Sequence, residues 1–154
     1  MTDKCIIYTD TAEGDATCIC YPIPLEEFKI QMGITKPMTE DEYFMHIMRN
    51  DIPSSAIHVR VAPRAHIPSD RAFRNALKND LTHDKQKCID ITKDRLRKER
   101  APLFAELDAQ ALREIEETGS IKPATKAEKQ RLRDITKGIN AGLSLEELKK
   151  IKVK

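Results

Sequence analysis

Apolar and polar positions along the chain change rhythm once, near residue 84: short β-branched bursts come before it, and helical spacing runs after it. The first burst, Cys5-Ile6-Ile7-Tyr8-Thr9, reads as a strand. Glu13-Gly14-Asp15 is a turn signal. Ala16 to Tyr21 is a second strand, ended by Pro22 and Pro24, so the two form a hairpin. A lone two-stranded hairpin is marginal in water and needs something to pack on. Leu25 to Met32 supplies a short helix. Thr39-Glu40-Asp41-Glu42 is a capping box, with Thr39 as N-cap and Glu42 at N3. The helix it opens carries Tyr43, Phe44, Ile47 and Met48 at helical spacing and ends near Asn50, before Ile52-Pro53. Ala56 to Ala62 alternates, with Ile57, Val59 and Val61 on the core side and His58 and Arg60 on a wet side, which predicts a third strand beside the hairpin. Ser69 or Asp70 is placed to cap a short helix over Arg71 to Lys78, with Ala72, Phe73, Ala76 and Leu77 inward and Arg71 and Arg74 outward.

From Asp84 onward Ile89, Leu96, Leu103, Leu107 and Ala111 fall within a narrow arc at 100° per residue, joined by Phe104 and Ile115. Pro102 sits inside this stripe and predicts a kink or break near residues 98–101. Thr118-Gly119 is a C-terminal stop. After Pro123, Thr125 is the expected cap of a second helix reaching Ile135, so that the two helices form an antiparallel hairpin. Ser144-Leu145-Glu146-Glu147 is a second capping box, opening a last short helix with a Lys-rich end. The fold class that follows is α+β. A small N-terminal antiparallel sheet with short helices (residues 1–82, a docking module) precedes a C-terminal helical hairpin with a short terminal helix (residues 83–154).

Composition narrows the function classes. The chain has 154 residues, 34% charged and 5% aromatic, with no Trp, so a large core is not expected. No apolar run approaches a bilayer span, and residues 1–25 carry no secretory apolar block, so neither a membrane protein nor a classically secreted one is expected. Residues 1–77 hold 8 Lys and Arg against 11 Asp and Glu, and residues 78–154 hold 19 against 14. The basic second half raises a nucleic-acid-binding accessory role as the alternative function. Close alternation of sign, as in Lys93-Asp94-Arg95, reads instead as i,i+4 pairing on an exposed helix, and nucleic acid is not the expected partner.

Candidate chemistry is sparse. Cys18 and Cys20 share one strand face, and C-x-C without further ligands is a weak zinc signature. Cys5, Cys18, Cys20 and Cys88 read as reduced thiols packing like small apolar residues. The four His occupy four segments, none at i,i+4 from another His or a Cys. There is no Gly-rich phosphate loop, G-x-S-x-G or H-E-x-x-H. No catalytic residue, metal site or cofactor is expected, and the chain reads as a non-enzyme. Arg60, Arg64, Arg71 and Arg74 are the densest basic run of the first half, with only Phe73 interleaved to stack a base.

Two stretches carry a resemblance. One is Ile67-Pro68-Ser69-Asp70-Arg71-Ala72-Phe73-Arg74-Asn75-Ala76. The other runs from Thr92-Lys93-Asp94-Arg95-Leu96-Arg97 through Arg100-Ala101-Pro102-Leu103 and Leu107-Asp108 to Glu128 through Thr136, with Ser144 to Lys149 following. Together they resemble a family of small tailed-phage and prophage proteins, commonly encoded near tail-fibre genes and described loosely as tail-fibre or tail-assembly components. The family has no agreed catalytic residues. What the resemblance implies is a non-enzymatic virion or tail-associated component, made in the bacterial host cytoplasm and located in the tail region. It would bind other phage tail or virion proteins and copies of itself. The residues expected to meet partners are Arg71, Phe73, Arg74, Leu96, Leu103, Phe104 and Leu107.

Overall fold

The computed structural model describes residues 3–153, and the chain divides into two units, Met1–His83 and Asp84–Lys154. In the first, β1 (Lys4–Asp10) is the middle of a three-stranded sheet in the order β2-β1-β3. β2 (Ala16–Cys20) and β3 (Ala56–Pro63) both pair antiparallel with it. The hairpin turn needs two consecutive left-handed residues, Gly14 at φ 67° and Asp15 at φ 59°, conformations that Gly and Asp tolerate best. Between β2 and β3 the chain forms α1 (Leu25–Gln31) and α2 (Glu40–Asn50). The capping box of α2 is formed as expected: the Glu42 carboxylate accepts from the Thr39 N–H at 2.7 Å, and the Thr39 hydroxyl accepts from the Glu42 N–H at 3.3 Å.

Cys5, Ile6 and Ile7 are all fully buried. Adjacent strand residues face opposite ways, so the sheet must be covered twice. On one face Ile6, with Tyr8 and Cys20, packs against Phe28, Tyr43, Phe44 and Ile47 of α1 and α2. On the other, Cys5, Ile7 and Ala62 pack with Ile19, Ile67 and Leu81, the last two from the irregular segment after β3. Cys18 stands opposite Tyr8 and Cys20 opposite Ile6, so the two thiols share a face as the alternation requires. Burial pushes the Cys5 and Cys20 thiols above the ordinary range, which keeps both neutral.

Two expectations for this unit are corrected. β3 does form, but Ile57, Val59 and Val61 do not make one buried row; they are 43%, 37% and 36% exposed. Ile7 stands opposite Arg60 and Thr9 opposite Ile57, so His58 and Val59 together face Tyr8, a bulge at which His58 takes φ 53°. The bulge shifts the alternation by one residue, and Ile57 and Val61 land on opposite faces of an edge strand. The second correction is the helix over Arg71 to Lys78, which is not formed. A single 3₁₀ turn, Arg74–Ala76, takes its place. The Asp70 carboxylate accepts from the Ala72 N–H at 2.8 Å, a local turn that competes with a helix start. A two-turn helix also has little to repay nucleation. Phe73 and Ala76 are buried all the same.

In the second unit α3 (Lys85–Thr118) runs 34 residues and contains Pro102 without a break, so of the expected kink or break the break is not formed. The Asp84 carboxylate caps it through the Lys87 N–H at 3.0 Å, and Gly119, at φ 76°, ends it. α4 (Pro123–Asp134) returns antiparallel: Thr125 meets Glu114, Lys129 pairs with Asp108 at 2.5 Å, and Arg100 donates to the Leu132 carbonyl at 2.8 Å. Thr125 is not its cap. Pro123 stands at N1, where the ring fixes φ and no N–H is missed. α5 (Leu145–Lys150) opens on the expected capping box, Ser144 with Glu147. Arg95 holds its far end by donating to the carbonyls of Leu148, Lys149 and Ile151.

Glu114 is the buried charge of this unit, 3% exposed. Its carboxylate accepts from the Thr125 hydroxyl at 2.8 Å, the Gln110 amide at 2.9 Å and the Lys122 backbone N–H at 2.9 Å. It thereby stabilises the N-terminus of α4, where N–H groups lack partners. Burial alone would raise its pKa, but the three hydrogen bonds and the Lys122 charge outweigh that and hold it below the ordinary value.

Phe73→Ala removes a buried ring and is expected to cost about 3–5 kcal/mol. Asp70→Ala removes one turn hydrogen bond and is expected to cost about 0.5–1.5 kcal/mol. Denaturant titration of the full chain measures both, and equal small losses would place Phe73 outside the core. Glu114 contributes stability above its unfolded pKa of about 4.3, and that contribution is lost as pH falls through this value toward the lower folded one. The stability difference between the wild type and Glu114→Gln should therefore shrink on acidification. A difference constant across that window would show that the carboxylate charge contributes nothing.

Candidate functional site

A cavity of about 370 Å³ lies within the first unit. It is lined by the face of β2 that carries Thr17 and Ile19, and by Tyr21 just beyond the strand. Its walls come from the segment after β3, which covers that face of the sheet. Ile67, Pro68, Leu77 and His83 line it from that segment. Leu77 and His83 are held together by an isolated antiparallel bridge, and the Phe73 ring stands edge-on to the His83 ring at 6.5 Å. So the buried Phe73 supports a cavity wall.

The polar part of the lining is basic. Arg64, Arg71 and Arg74 line the cavity with His83, and among the described residues Asp70 is the one acid there. The Arg64 guanidinium lies over the Tyr21 ring, 4.7 Å from its centroid, a cation–π contact that also fixes its position. Arg71 and Arg74 leave the same turn, since the Arg74 N–H donates to the Arg71 carbonyl at 3.1 Å. Both side chains are exposed, and among the described residues neither has a hydrogen-bond or ion-pair partner. Two guanidiniums on one turn beside an apolar wall can fork onto a carboxylate or another oxyanion.

The residues expected to meet partners separate by burial. Arg71 and Arg74 are on the surface, at the cavity. Phe73 and Leu96 are buried in the interiors of their own units and offer no contact surface. Leu103, Phe104 and Leu107 are half-buried along the second half of α3, with the Arg100 guanidinium 5.7 Å from the Phe104 ring centroid. Beside them Leu112 is 63% and Ile115 44% exposed. Sequence reasoning missed Tyr21, His83 and Leu112. Only Leu112 left a signal: at 100° per residue it continues the flank that Phe104 and Ile115 begin.

Among the described residues, no three His, Cys, Asp or Glu come together as metal ligands, and no helix is long and apolar enough to cross a membrane. No family model, no curated protein and no solved structure matches the chain.

Proposed function

We propose that this chain is a non-enzymatic bacteriophage protein, associated with the virion or its tail, that works by binding copies of itself and other phage proteins. The class comes from the resemblance carried by residues 67–76 and 92–149. The observation that carries the binding role is the apolar flank of α3. Phe104, Leu112 and Ile115 continue outward from the buried stripe of Leu96 and Ala111, and Leu112 is left mostly in water. Scattered apolar side chains on a surface are ordinary, but a row adjoining the core along one helix marks a contact surface.

The charges of the second unit favour this reading over nucleic-acid binding. Arg97 pairs with Asp94, Arg131 with Glu128, Lys137 with Asp134 and Lys149 with Glu146. Basic residues paired with acids three positions away attract a polyanion less than unpaired ones do, although the unit keeps an excess of bases.

Purified particles should contain the chain at a copy number set by tail symmetry, as read by quantitative mass spectrometry. Leu107→Asp and Leu112→Asp should each lower the solution mass seen by light scattering and block incorporation, because each puts a charge into an apolar contact. Leu112→Asp should leave helix content unchanged by circular dichroism, its side chain being mostly in water. Wild-type mass and incorporation in both variants would remove α3 as the contact surface.

A further inference from the structure

The cavity of the first unit has a ligand chemistry of its own. We propose that it receives an acidic side chain, together with an apolar neighbour, from an extended segment of a partner protein. The inference rests on the protein-binding reading above and adds to it the kind of partner segment recognised. Arg71 and Arg74 offer two forks without partners among the described residues, aimed from one turn at one cavity. Of the other cations of this unit, Lys4 pairs with Glu40 at 2.5 Å, Lys29 with Glu26 at 3.0 Å, and Arg60 donates to Asn79 at 3.1 Å. Lys36, Arg49 and Lys78, also without a side-chain hydrogen-bond or ion-pair partner among the described residues, do not line this cavity. Asp70 offsets one of the cavity's three arginines, and its carboxylate is held by the Ala72 N–H. The remaining excess is positive, and Ile19, Ile67, Pro68 and Leu77 give an aliphatic wall beside it. A carboxylate flanked by an apolar side chain matches both halves.

Three observations favour an acidic protein segment over nucleic acid. The Tyr21 face that could stack a base is covered by Arg64. A cavity of about 370 Å³ is near the lower limit for ligand sites and suits side chains rather than a strand of bases. The unit as a whole is acidic, residues 1–83 carrying 9 Lys and Arg against 12 Asp and Glu. Its long-range field repels a polyanion, while a single carboxylate seated between the arginines feels mainly the near charges.

The test is fluorescence anisotropy of the full chain with a short labelled peptide made of Glu, Leu and Gly. The same peptide with Gln for Glu, and an oligothymidylate, serve as comparisons. Binding should require Glu, weaken with salt, and fall about tenfold or more in the Arg71→Gln/Arg74→Gln double variant, since charge-assisted hydrogen bonds are lost. Thermal melts should show that this variant keeps its fold, because both side chains are exposed. Lys36→Gln, at an exposed cation that does not line this cavity, should bind the peptide as the wild type does. Equal binding of the Gln peptide, or binding indifferent to both arginines, would overturn the inference. Tighter, arginine-dependent binding of the oligothymidylate would replace it with a nucleic-acid site. Particle mass spectrometry separates the two readings: absence of the chain from particles removes the virion role, and failure of the peptide alone removes only the pocket.

Discussion

Ile6 and Ile7 are neighbours in the chain and both fully out of water. A strand presents them to opposite faces, so the first unit depends on covering its sheet on both sides. α1 and α2 do this regularly on one face, with the Tyr43 hydroxyl tied to the Ile23 carbonyl and the Phe28 and Tyr43 rings 4.9 Å apart. Among the described residues the other face carries no α-helix. It is closed by the irregular segment after β3, through Ile67 and Leu81. Irregular chain cannot fill space as a helix does, and the cavity beside Arg71 and Arg74 lies where that cover leaves β2.

Much of this was legible in the residues. Strands, capping boxes, the glycine stop of α3 and the shared face of Cys18 and Cys20 follow from period, caps and turn chemistry, all of which are local. The bulge in β3 was not. Alternation across Ile57, Val59 and Val61 predicts one buried row, but the row holds only if pairing with β1 keeps a single register. His58 breaks that register. The short helix at 71–78 failed for a related reason. A capping residue and inward apolar positions are compatible with a helix, but Asp70 serves a turn equally well, and burying Phe73 and Ala76 needs only one turn. The half of the site that could be read was the basic residues. Tyr21 and His83 could not, since what brings them in is a sheet face and a bridge between Leu77 and His83.

Continuity of α3 through Pro102 shows tertiary packing overriding propensity. Proline inside a helix costs on the order of 3 kcal/mol, through a lost hydrogen bond and a clash one turn back. Contacts on both sides of it repay that. Before Pro102, Arg95 ties α3 to the end of α5 and Arg100 ties it to the end of α4. Beyond it, Asp108 and Glu114 bind Lys129 and Thr125. A break at residues 98–101 would misalign two sets of partners at once, so the hairpin selects the unbroken helix. The same logic accounts for Glu114. A carboxylate so placed is unfavourable unless every lone pair finds a donor, and the α4 N-terminus supplies what the apolar stripe lacks.

The two units distribute their charge differently, and that difference bears on how each can meet a partner. In the second, short ion pairs at i,i+3 spacing run along the helix surfaces, and exposed pairs of this kind contribute little stability, typically about 0–1 kcal/mol. The unit still carries 18 Lys and Arg against 13 Asp and Glu, and on its surface Leu112 and Ile115 are exposed apolar side chains. The contact proposed there would be governed mainly by apolar area. In the first unit acids outnumber bases, yet two arginines at one cavity have no partner among the described residues, so the recognition proposed there would be electrostatic, short-ranged and salt-sensitive. Local rules tend to fail where a chain is shaped for contact rather than for stability. Here they fail at residues 69–78, where the expected helix gave way to a turn, and that turn is what directs Arg71 and Arg74 into the cavity.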